Sequence, residues 1–537
     1  MLTTLLLLAS CGTAPEEAFT ALPPREALVR LSLELRGVRP AEDELAAIEA
    51  DPRAYDAFVD RYMADPRFLG RMREVFNLRY LTRTGETFFD PAEAGLEELD
   101  AALVADSIGE EPLRLLTYIL ENDLSYGVMV TSPHTMADAY LAAMWDLDRE
   151  AGDGWQPATW RDGRPAAGIL SMTTIWQRYP SMGGNANRHR ANAISRMLLC
   201  DDYLSRPIVL DRAAVDLLTL DPENAIAVTP SCQSCHSSLD PLSANLFGFF
   251  HYDAADSLAD ATVYRPENEE EWRAYAGRAP GYYGRPTANL EELGASIAAD
   301  SRFADCAVRT VWEGLSQRAY TDDDWSELQE LRAVYDAGGG RLGPVVRAVV
   351  TSDAFKAGAM VDAALDDRLA TVRVASPVQL ADSVADLTGY RWNFGGREGL
   401  ARNDLGLPVL AGGVDSRYVT LRSYTPSLGM AFVQERLAQA AAHHVAEHDL
   451  AEGRAGDAIL LRYVTVADTP TTAPDAFAAQ IRFLYLRVTG VPLAEDAPEP
   501  AALAALWDEL MKVEASPIAA WAGVVSAVLR DPRVLFY

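Results

Sequence analysis

Helical periodicity is the feature that most restricts the fold of this chain. In residues 41–68, apolar residues recur at spacings of three and four with acidic residues between them. This spacing is typical of amphipathic helices packed against a core. Residues 324–355 predict helix, glycine-rich turn and helix, and Gly389 and Gly453 end further helical stretches. Strand patterns are few and short. We therefore expect a mostly α-helical fold with long irregular connections.

The length of 537 residues allows two to four domains. Three stretches of low helicity interrupt the chain, which lie at 149–168, 256–287 and 389–416. We predict a multi-domain helical scaffold, whose parts are an N-terminal helical domain at 25–148, a central domain at 149–360 and a C-terminal helical domain at 361–537.

The two ends of the chain carry a weak internal repeat. The segment from Leu31 to Val38 aligns with the segment from Leu484 to Val491, and each precedes an amphipathic stretch. Those stretches end in similar tags, DPRF at 65–68 and DPRV at 531–534. A helical unit used twice explains the repeat, and chance similarity between amphipathic helices is the alternative.

The N-terminus has the pattern of an export signal. Residues 1–10 form a short apolar run that is too short to span a bilayer and ends in small residues before Cys11. This pattern is typical of a bacterial lipoprotein signal, in which Cys11 would carry the lipid, although no Lys or Arg precedes the run. We expect residues 11–24 to be a tether. A plain cleaved signal peptide and a chance apolar run are the alternatives.

The net charge of −31 restricts the partners. It repels nucleic-acid phosphates and anionic lipid, so we expect no nucleic-acid partner and membrane contact through the lipid anchor alone. A cationic redox partner would suit this charge. Solubility alone would also explain it.

Residues 231–241 read SCQSCHSSLDP and contain a C-x-x-C-H motif. In covalent haem attachment the two thiols would bind the porphyrin, here Cys232 and Cys235, and His236 would bind the iron. With five cysteines and seven histidines in the chain, a chance match is rare. The motif therefore predicts one haem c, whose attachment also requires export.

Two other interpretations of the C-x-x-C-H motif are weaker. A zinc site would need a second pair of ligands at a suitable spacing, and none follows the motif. A redox dithiol of the thioredoxin type would need a βαβ setting, which the sequence lacks. A simple dithiol or disulfide remains an alternative.

The sixth iron ligand is open at this stage. Met172 and Met182 precede the motif, and His251 follows it by 15 residues. We retain these three residues as candidates, although a methionine is more often a core residue than a ligand. An open sixth position would favour small-ligand or peroxide chemistry, and a filled one would favour electron transfer.

Cys200 and Cys306 lie in helix-like segments on either side of the motif. In an oxidising compartment the two could form a disulfide that closes a loop of about 100 residues. Two separate buried thiols are the alternative.

Residues His444, Glu447 and His448 match the H-x-x-E-H pattern of inverted zinc hydrolases. A third ligand is not marked nearby. An alanine-rich helix with exposed histidines is the simpler interpretation.

The sequence from Cys232 to Asp253, with C-x-x-C-H followed by Asp-Pro and an aromatic segment, resembles the multidomain cytochrome-c-like exported proteins of planctomycetes and myxobacteria. Flanking segments at 30–48, 168–200, 301–355 and 376–392 are similar as well. One departure is Leu242-Ser243, where these proteins commonly have a glycine. The resemblance implies haem c and export, and it names no substrate.

We therefore predict a c-type electron carrier that is lipid-anchored to the outer membrane, facing the periplasm or the surface, with an unidentified redox protein as partner. Two other functions remain open. One is an open-site haem oxidoreductase or the haem subunit of a dehydrogenase complex. The other is a non-haem structural lipoprotein with a C-x-x-C disulfide.

Overall fold

The computed structural model describes most of the chain, namely residues 19–86, 91–181, 183–209, 212–249, 263–275, 277–360, 371–401, 405–451 and 457–537. Helices account for 61% and strands for 5%. The expectation of a mostly helical fold with few short strands is confirmed. Within the described residues, no helix is long and apolar enough to cross a membrane.

The described residues form 23 α-helices. The first eleven are α1 (Pro24–Arg36), α2 (Glu42–Ala50), α3 (Tyr55–Met63), α4 (Arg67–Tyr80), α5 (Ala101–Glu121), α6 (Val128–Thr131), α7 (Ala139–Met144), α8 (Thr173–Arg178), α9 (Arg188–Leu199), α10 (Arg212–Leu220) and α11 (Pro222–Val228). The next are α12 (Pro230–Ala244), α13 (Trp272–Tyr275), α14 (Leu290–Ala298), α15 (Ser301–Ser316), α16 (Trp325–Ala337) and α17 (Leu342–Thr351). The last are α18 (Pro377–Thr388), α19 (Leu407–Leu410), α20 (Leu428–Asp449), α21 (Pro474–Thr489), α22 (Glu499–Glu514) and α23 (Pro517–Leu529).

The strands are short and pair only antiparallel. They are β1 (Phe19–Ala21), β2 (Thr135–Ala137), β3 (Asp148–Arg149), β4 (Gln156–Thr159), β5 (Gly281–Tyr282), β6 (Arg285–Pro286), β7 (Ala357–Met360), β8 (Asn393–Phe394) and β9 (Arg397–Glu398). The pair β1–β7 joins the start of the described chain to residues 357–360. The strands β2, β4 and β3 form a three-stranded sheet in that order. The other pairs, β5–β6 and β8–β9, are local hairpins.

The tags noted at 65–68 and 531–534, together with the similar DSRF at 300–303, are helix-capping motifs. Asp65, Asp300 and Asp531 each accept a hydrogen bond from the backbone N–H two residues later. The arginine at that later position also binds back to the aspartate. An aspartate at this position satisfies free N–H groups and favours the helix dipole, so the tag marks a helical start wherever it recurs.

The two copies of the internal repeat are both helix ends, and they touch each other. α1 and α21 end at Gly37 and Gly490, which both adopt the left-handed conformation that glycine tolerates best. Arg39 donates to the carbonyl of Thr489 at 3.0 Å, and Arg487 donates to the carbonyl of Pro40 at 2.7 Å. The bonds in both directions between the repeats hold the first helical unit against the last.

Buried apolar side chains form two main clusters. The larger draws on residues from Leu28 to Phe355, and the second on residues from Val374 to Leu535. The larger cluster includes residues on both sides of the boundary predicted at 148 and 149, and the gap between the clusters lies near the boundary predicted at 360. The three-domain division stays a prediction.

Glu34 on α1 is completely buried and connects four distant parts of the chain. Its Oε1 accepts hydrogen bonds from Arg373 at 3.1 Å, from the amide of Gln317 at 2.9 Å and from the hydroxyl of Tyr537 at 3.0 Å. Its Oε2 lies 3.4 Å from Arg71 on α4. A buried carboxylate is tolerated only when it is paired in this way.

We expect Glu34→Ala to lower the free energy of unfolding by about 3–5 kcal/mol, because it leaves the guanidinium of Arg373 buried without its carboxylate. Urea unfolding followed by circular dichroism measures the change. Glu26→Ala removes an exposed carboxylate from the same helix and should change stability by no more than about 0.5 kcal/mol. Equal stability of the two variants would contradict this role of Glu34.

Candidate functional site

The C-x-x-C-H motif lies at the start of α12. Pro230 is the first helical residue, a position where its missing N–H costs nothing because no intrahelical acceptor exists there. Cys232, Cys235 and His236 are spaced by three and four residues along this helix, so their side chains leave the same face. Both cysteines are partly buried free thiols. The local sequence thus places the three residues together.

His236 is oriented by a buried acid one turn later on α12. Its Nδ1 lies 2.8 Å from Oδ1 of Asp240, whose side chain is 1% exposed. Because a carboxylate accepts, the ring donates through Nδ1, and Nε2 is the nitrogen that could bind a metal. Metal-binding histidines are commonly oriented in this way by a carboxylate.

Asp240 is held in turn by Arg188 at the start of α9. Nε of Arg188 donates to Oδ1 of Asp240 at 2.8 Å. Burial alone would raise the pKa of Asp240, but the hydrogen bonds from His236 and Arg188 outweigh it and hold that pKa below its usual range. Asp240 is therefore an anion in the folded protein. Its contribution to stability is present above the pKa of an unfolded aspartate and is lost as the pH falls through the lowered value.

Aromatic and polar side chains pack on α12 beside Cys235. The hydroxyl of Tyr203 bonds Ser238 at 2.8 Å and that of Tyr283 at 3.3 Å. The guanidinium of Arg206 lies over the ring of Tyr203 at 4.0 Å. Cys235 packs at the edge of the large apolar cluster. These contacts hold α12 beside Cys235, and both cysteines stay partly exposed.

The segment that leads into α12 exposes large apolar side chains. Leu204, Val209 and Leu220 are each 83% exposed. Further exposed apolar residues in the same segment are Ile208, Val215 and Val228. Exposed apolar side chains grouped in this way are uncommon unless a ligand or partner covers them.

These residues fit a covalently bound haem. The thiols of Cys232 and Cys235 are not joined to each other, as thioether formation requires. The orientation of His236 leaves Nε2 for an iron atom. The exposed apolar residues of 204–228 would supply the apolar surroundings that a porphyrin needs.

The aromatic segment after the motif packs on the segment before it. Phe249 stacks on Trp176 of α8 with ring centres 4.0 Å apart. Arg190 of α9 is buried beside them and donates to the carbonyls of Phe249 at 2.9 Å and Trp176 at 3.2 Å. Burial lowers the pKa of Arg190 to about 9. One buried arginine thus ties together the two segments that flank the motif.

The structure joins Cys200 and Cys306 in a disulfide with their Cα atoms 5.2 Å apart. Cys200 ends α9 in a left-handed conformation, and Cys306 is buried within α15. The bond connects α9, which carries Arg188, to α15. It therefore helps to fix α9, from which Arg188 reaches the partner of His236.

Among the candidates for a sixth ligand and the lipid site, only Met172 lies within the described residues. Met172 is fully buried in the large apolar cluster, at the start of α8, which packs on α5. This burial gives Met172 a packing role. Met182, His251 and Cys11 lie outside the described residues. Their proposed roles stay predictions.

The H-x-x-E-H segment lies in α20, and its side chains have local partners. His448 bonds the neighbouring Asp449 at 2.8 Å, and Asp449 accepts three backbone N–H groups of the loop at 459–461. Nδ1 of His443 lies 3.4 Å from Oε1 of Glu447 one turn later, and both side chains are exposed. Over the described part of the chain, no three His, Cys, Asp or Glu side chains group as a metal site. His444 lies against the ring of Tyr390, with ring centres 5.6 Å apart.

Sequence reasoning alone missed Arg188 and the role of Asp240. Asp240 was visible as the Asp-Pro that follows the motif, and its spacing of four from His236 on a helix was the signal that could have found it. Arg188 lies 52 residues away and left no such signal.

Comparisons of the chain with protein families, with curated proteins and with solved structures find no match. The candidate site is therefore interpreted on its own geometry.

We expect the double variant Cys200→Ser/Cys306→Ser to unfold more easily, by at most about 4–5 kcal/mol, because the disulfide closes a long loop in the unfolded chain. Urea unfolding of the haem-free protein measures this change. Cys232→Ser/Cys235→Ser removes the same number of sulfur atoms without breaking a disulfide and should leave stability nearly unchanged. Equal unfolding of the two double variants would contradict the assignment.

Proposed function

We propose that this chain is an exported, lipid-anchored c-type cytochrome-like electron carrier with one haem c. Cys232 and Cys235 would form the thioether bonds, and Nε2 of His236 would be the proximal ligand. The observation that carries the proposal is the contact between His236 and Asp240 on the helix face that also bears both free thiols.

Haem held in this way would supply a one-electron couple between ferrous and ferric iron. The contribution of the polypeptide to this function is to orient His236. Asp240 accepts the proton-bearing Nδ1 of His236, and Arg188 holds Asp240 in place. The negative charge of Asp240 would make Nε2 of His236 a stronger electron-pair donor to a bound iron, which would favour the oxidised metal.

The proposed location and partner rest on the N-terminal sequence pattern and on the charge of the chain. Cys11 would carry the lipid at the outer membrane, and the residues between Cys11 and β1 would link it to the folded part, since Phe19–Ala21 of the tether expected at 11–24 pairs with β7 instead. A net charge of −31 favours a cationic redox protein as partner through electrostatic steering. The exposed apolar residues near the motif would cover the haem edge or meet that partner.

When the protein is produced with a c-type maturation system, we expect haem to remain on the polypeptide after denaturation. A denaturing gel stained for haem peroxidase activity, with a pyridine haemochrome spectrum, measures it. Cys232→Ser/Cys235→Ser should abolish the signal, whereas Cys200→Ser should retain it. Absence of covalent haem from the wild-type protein would overturn the proposal.

We expect Asp240→Asn to raise the midpoint potential by about 60 mV, equivalent to about 1.4 kcal/mol for one electron, because His236 loses its anionic partner. Spectroelectrochemical titration of the haem-loaded protein measures the shift. Asp216→Asn removes an exposed carboxylate on α10 and should change the potential much less. Equal shifts in the two variants would mean that Asp240 acts only through long-range charge and does not position His236.

A further inference from the structure

A cleft of about 900 Å³ lies away from the C-x-x-C-H motif. Helices α4 and α5 line one side, and α18 with part of the segment 391–414 lines the other. This volume is within the range of small-molecule sites in proteins, about 300–1,000 Å³. The cleft therefore has room for an organic ligand.

Eight arginines and five carboxylates line the cleft. Three of the arginines also pair with carboxylates just outside the lining, so any unbalanced positive charge lies among the other arginines. Arginine binds carboxylate and phosphate groups in fixed planar geometry, which suits it to recognition.

Three of the lining arginines surround Glu110 on α5. Arg83 lies 2.5 Å from Oε1 of Glu110, and Arg114 lies 3.1 Å from Oε2. Arg73 on α4 approaches Oε2 at 3.4 Å. Burial alone would raise the pKa of Glu110, but the three guanidinium groups outweigh it and lower that pKa. One ionised carboxylate thus faces three positive charges.

Arg73 is the least well compensated of the three arginines. Its Nη1 donates to the hydroxyl of Thr117 at 3.1 Å. Its buried Nε is the atom that lies 3.4 Å from Oε2 of Glu110, and among the described residues it makes that ion-pair contact without a hydrogen bond. Burial, together with Arg114 and Arg83, lowers the pKa of Arg73 to about 10. A second negative charge beside Arg73 would relieve this repulsion.

The two walls are joined by contacts outside the Glu110 cluster. Arg67 lies 3.4 Å from Asp386 near one end, and Asn77 bonds Ser416 at 3.2 Å. Asp106 pairs with Arg397 from the opposite wall. Because these contacts hold the walls, the guanidinium groups around Glu110 are not needed to close the cleft.

We propose that the cleft binds a small organic oxyanion, with a carboxylate or phosphate group of the ligand seated beside Arg73 and Arg114. Both oxyanions offer the paired acceptor oxygens that a guanidinium binds. The rest of the ligand would extend toward α18. This binding site is independent of the proposed haem site.

Calorimetric titration of the full chain with citrate and with pyrophosphate tests the proposal, with glycerol as an uncharged probe. We expect citrate or pyrophosphate to bind and glycerol not to bind, and added NaCl to weaken binding. Preference for citrate would identify a carboxylate ligand, and preference for pyrophosphate a phosphate ligand. If neither anion binds to the wild-type protein at about 10 mM, far above the dissociation constants of typical sites, the proposal is wrong.

Variants assign the binding to the Glu110 cluster. Arg73→Gln and Arg114→Gln should each weaken binding at least about tenfold. Glu110→Gln should tighten it, because the resident carboxylate no longer competes for the guanidinium groups. Arg436→Gln removes an exposed arginine on α20 and should leave binding unchanged. Equal affinity in the Arg436 and Arg114 variants would overturn the assignment, and circular dichroism checks that each variant is folded.

Discussion

The buried carboxylate of Glu34 is the contact on which most of the tertiary arrangement depends. It lies on the first helix and accepts bonds from groups at 317, 373 and 537, so the beginning, middle and end of the chain meet at one side chain. A charge at that depth is stable only while its partners are present. Glu34 therefore joins helices of both apolar clusters through polar contacts, in addition to the bonds made by Arg39 and Arg487.

Buried arginines also join distant segments, by donating hydrogen bonds to backbone carbonyls. Arg30 donates to the carbonyls of Phe355, Ala357 and Thr371, and burial together with the nearby Arg373 lowers its pKa to about 9. Arg190 joins the segments before and after the C-x-x-C-H motif in the same manner. A guanidinium has five donors in a rigid plane, so a single side chain can satisfy several carbonyls of irregular connections. This explains how long connections without regular structure remain ordered around a helical core.

The two candidate sites use charge in opposite ways. At His236 an anion is fully matched by Arg188 and the imidazole, which keeps the ring in one orientation. At Glu110 a single carboxylate faces three guanidinium groups, and the positive charge that it does not balance would attract an anionic ligand. The first arrangement suits permanent positioning of a cofactor ligand. The second suits reversible binding.

The sequence by itself determined the helical class, the glycine end of α18 at Gly389 and the close spacing of Cys232, Cys235 and His236, whereas the DPR tags expected to end helical stretches precede helical turns instead. Each of these depends on residues within one or two turns of one another, where spacing converts directly into geometry. Only the tertiary structure decided the partners of Glu34, the support of Asp240 by Arg188 and the arginine-lined cleft. These contacts join residues tens to hundreds of positions apart, and local periodicity carries no information about which distant segments pack together.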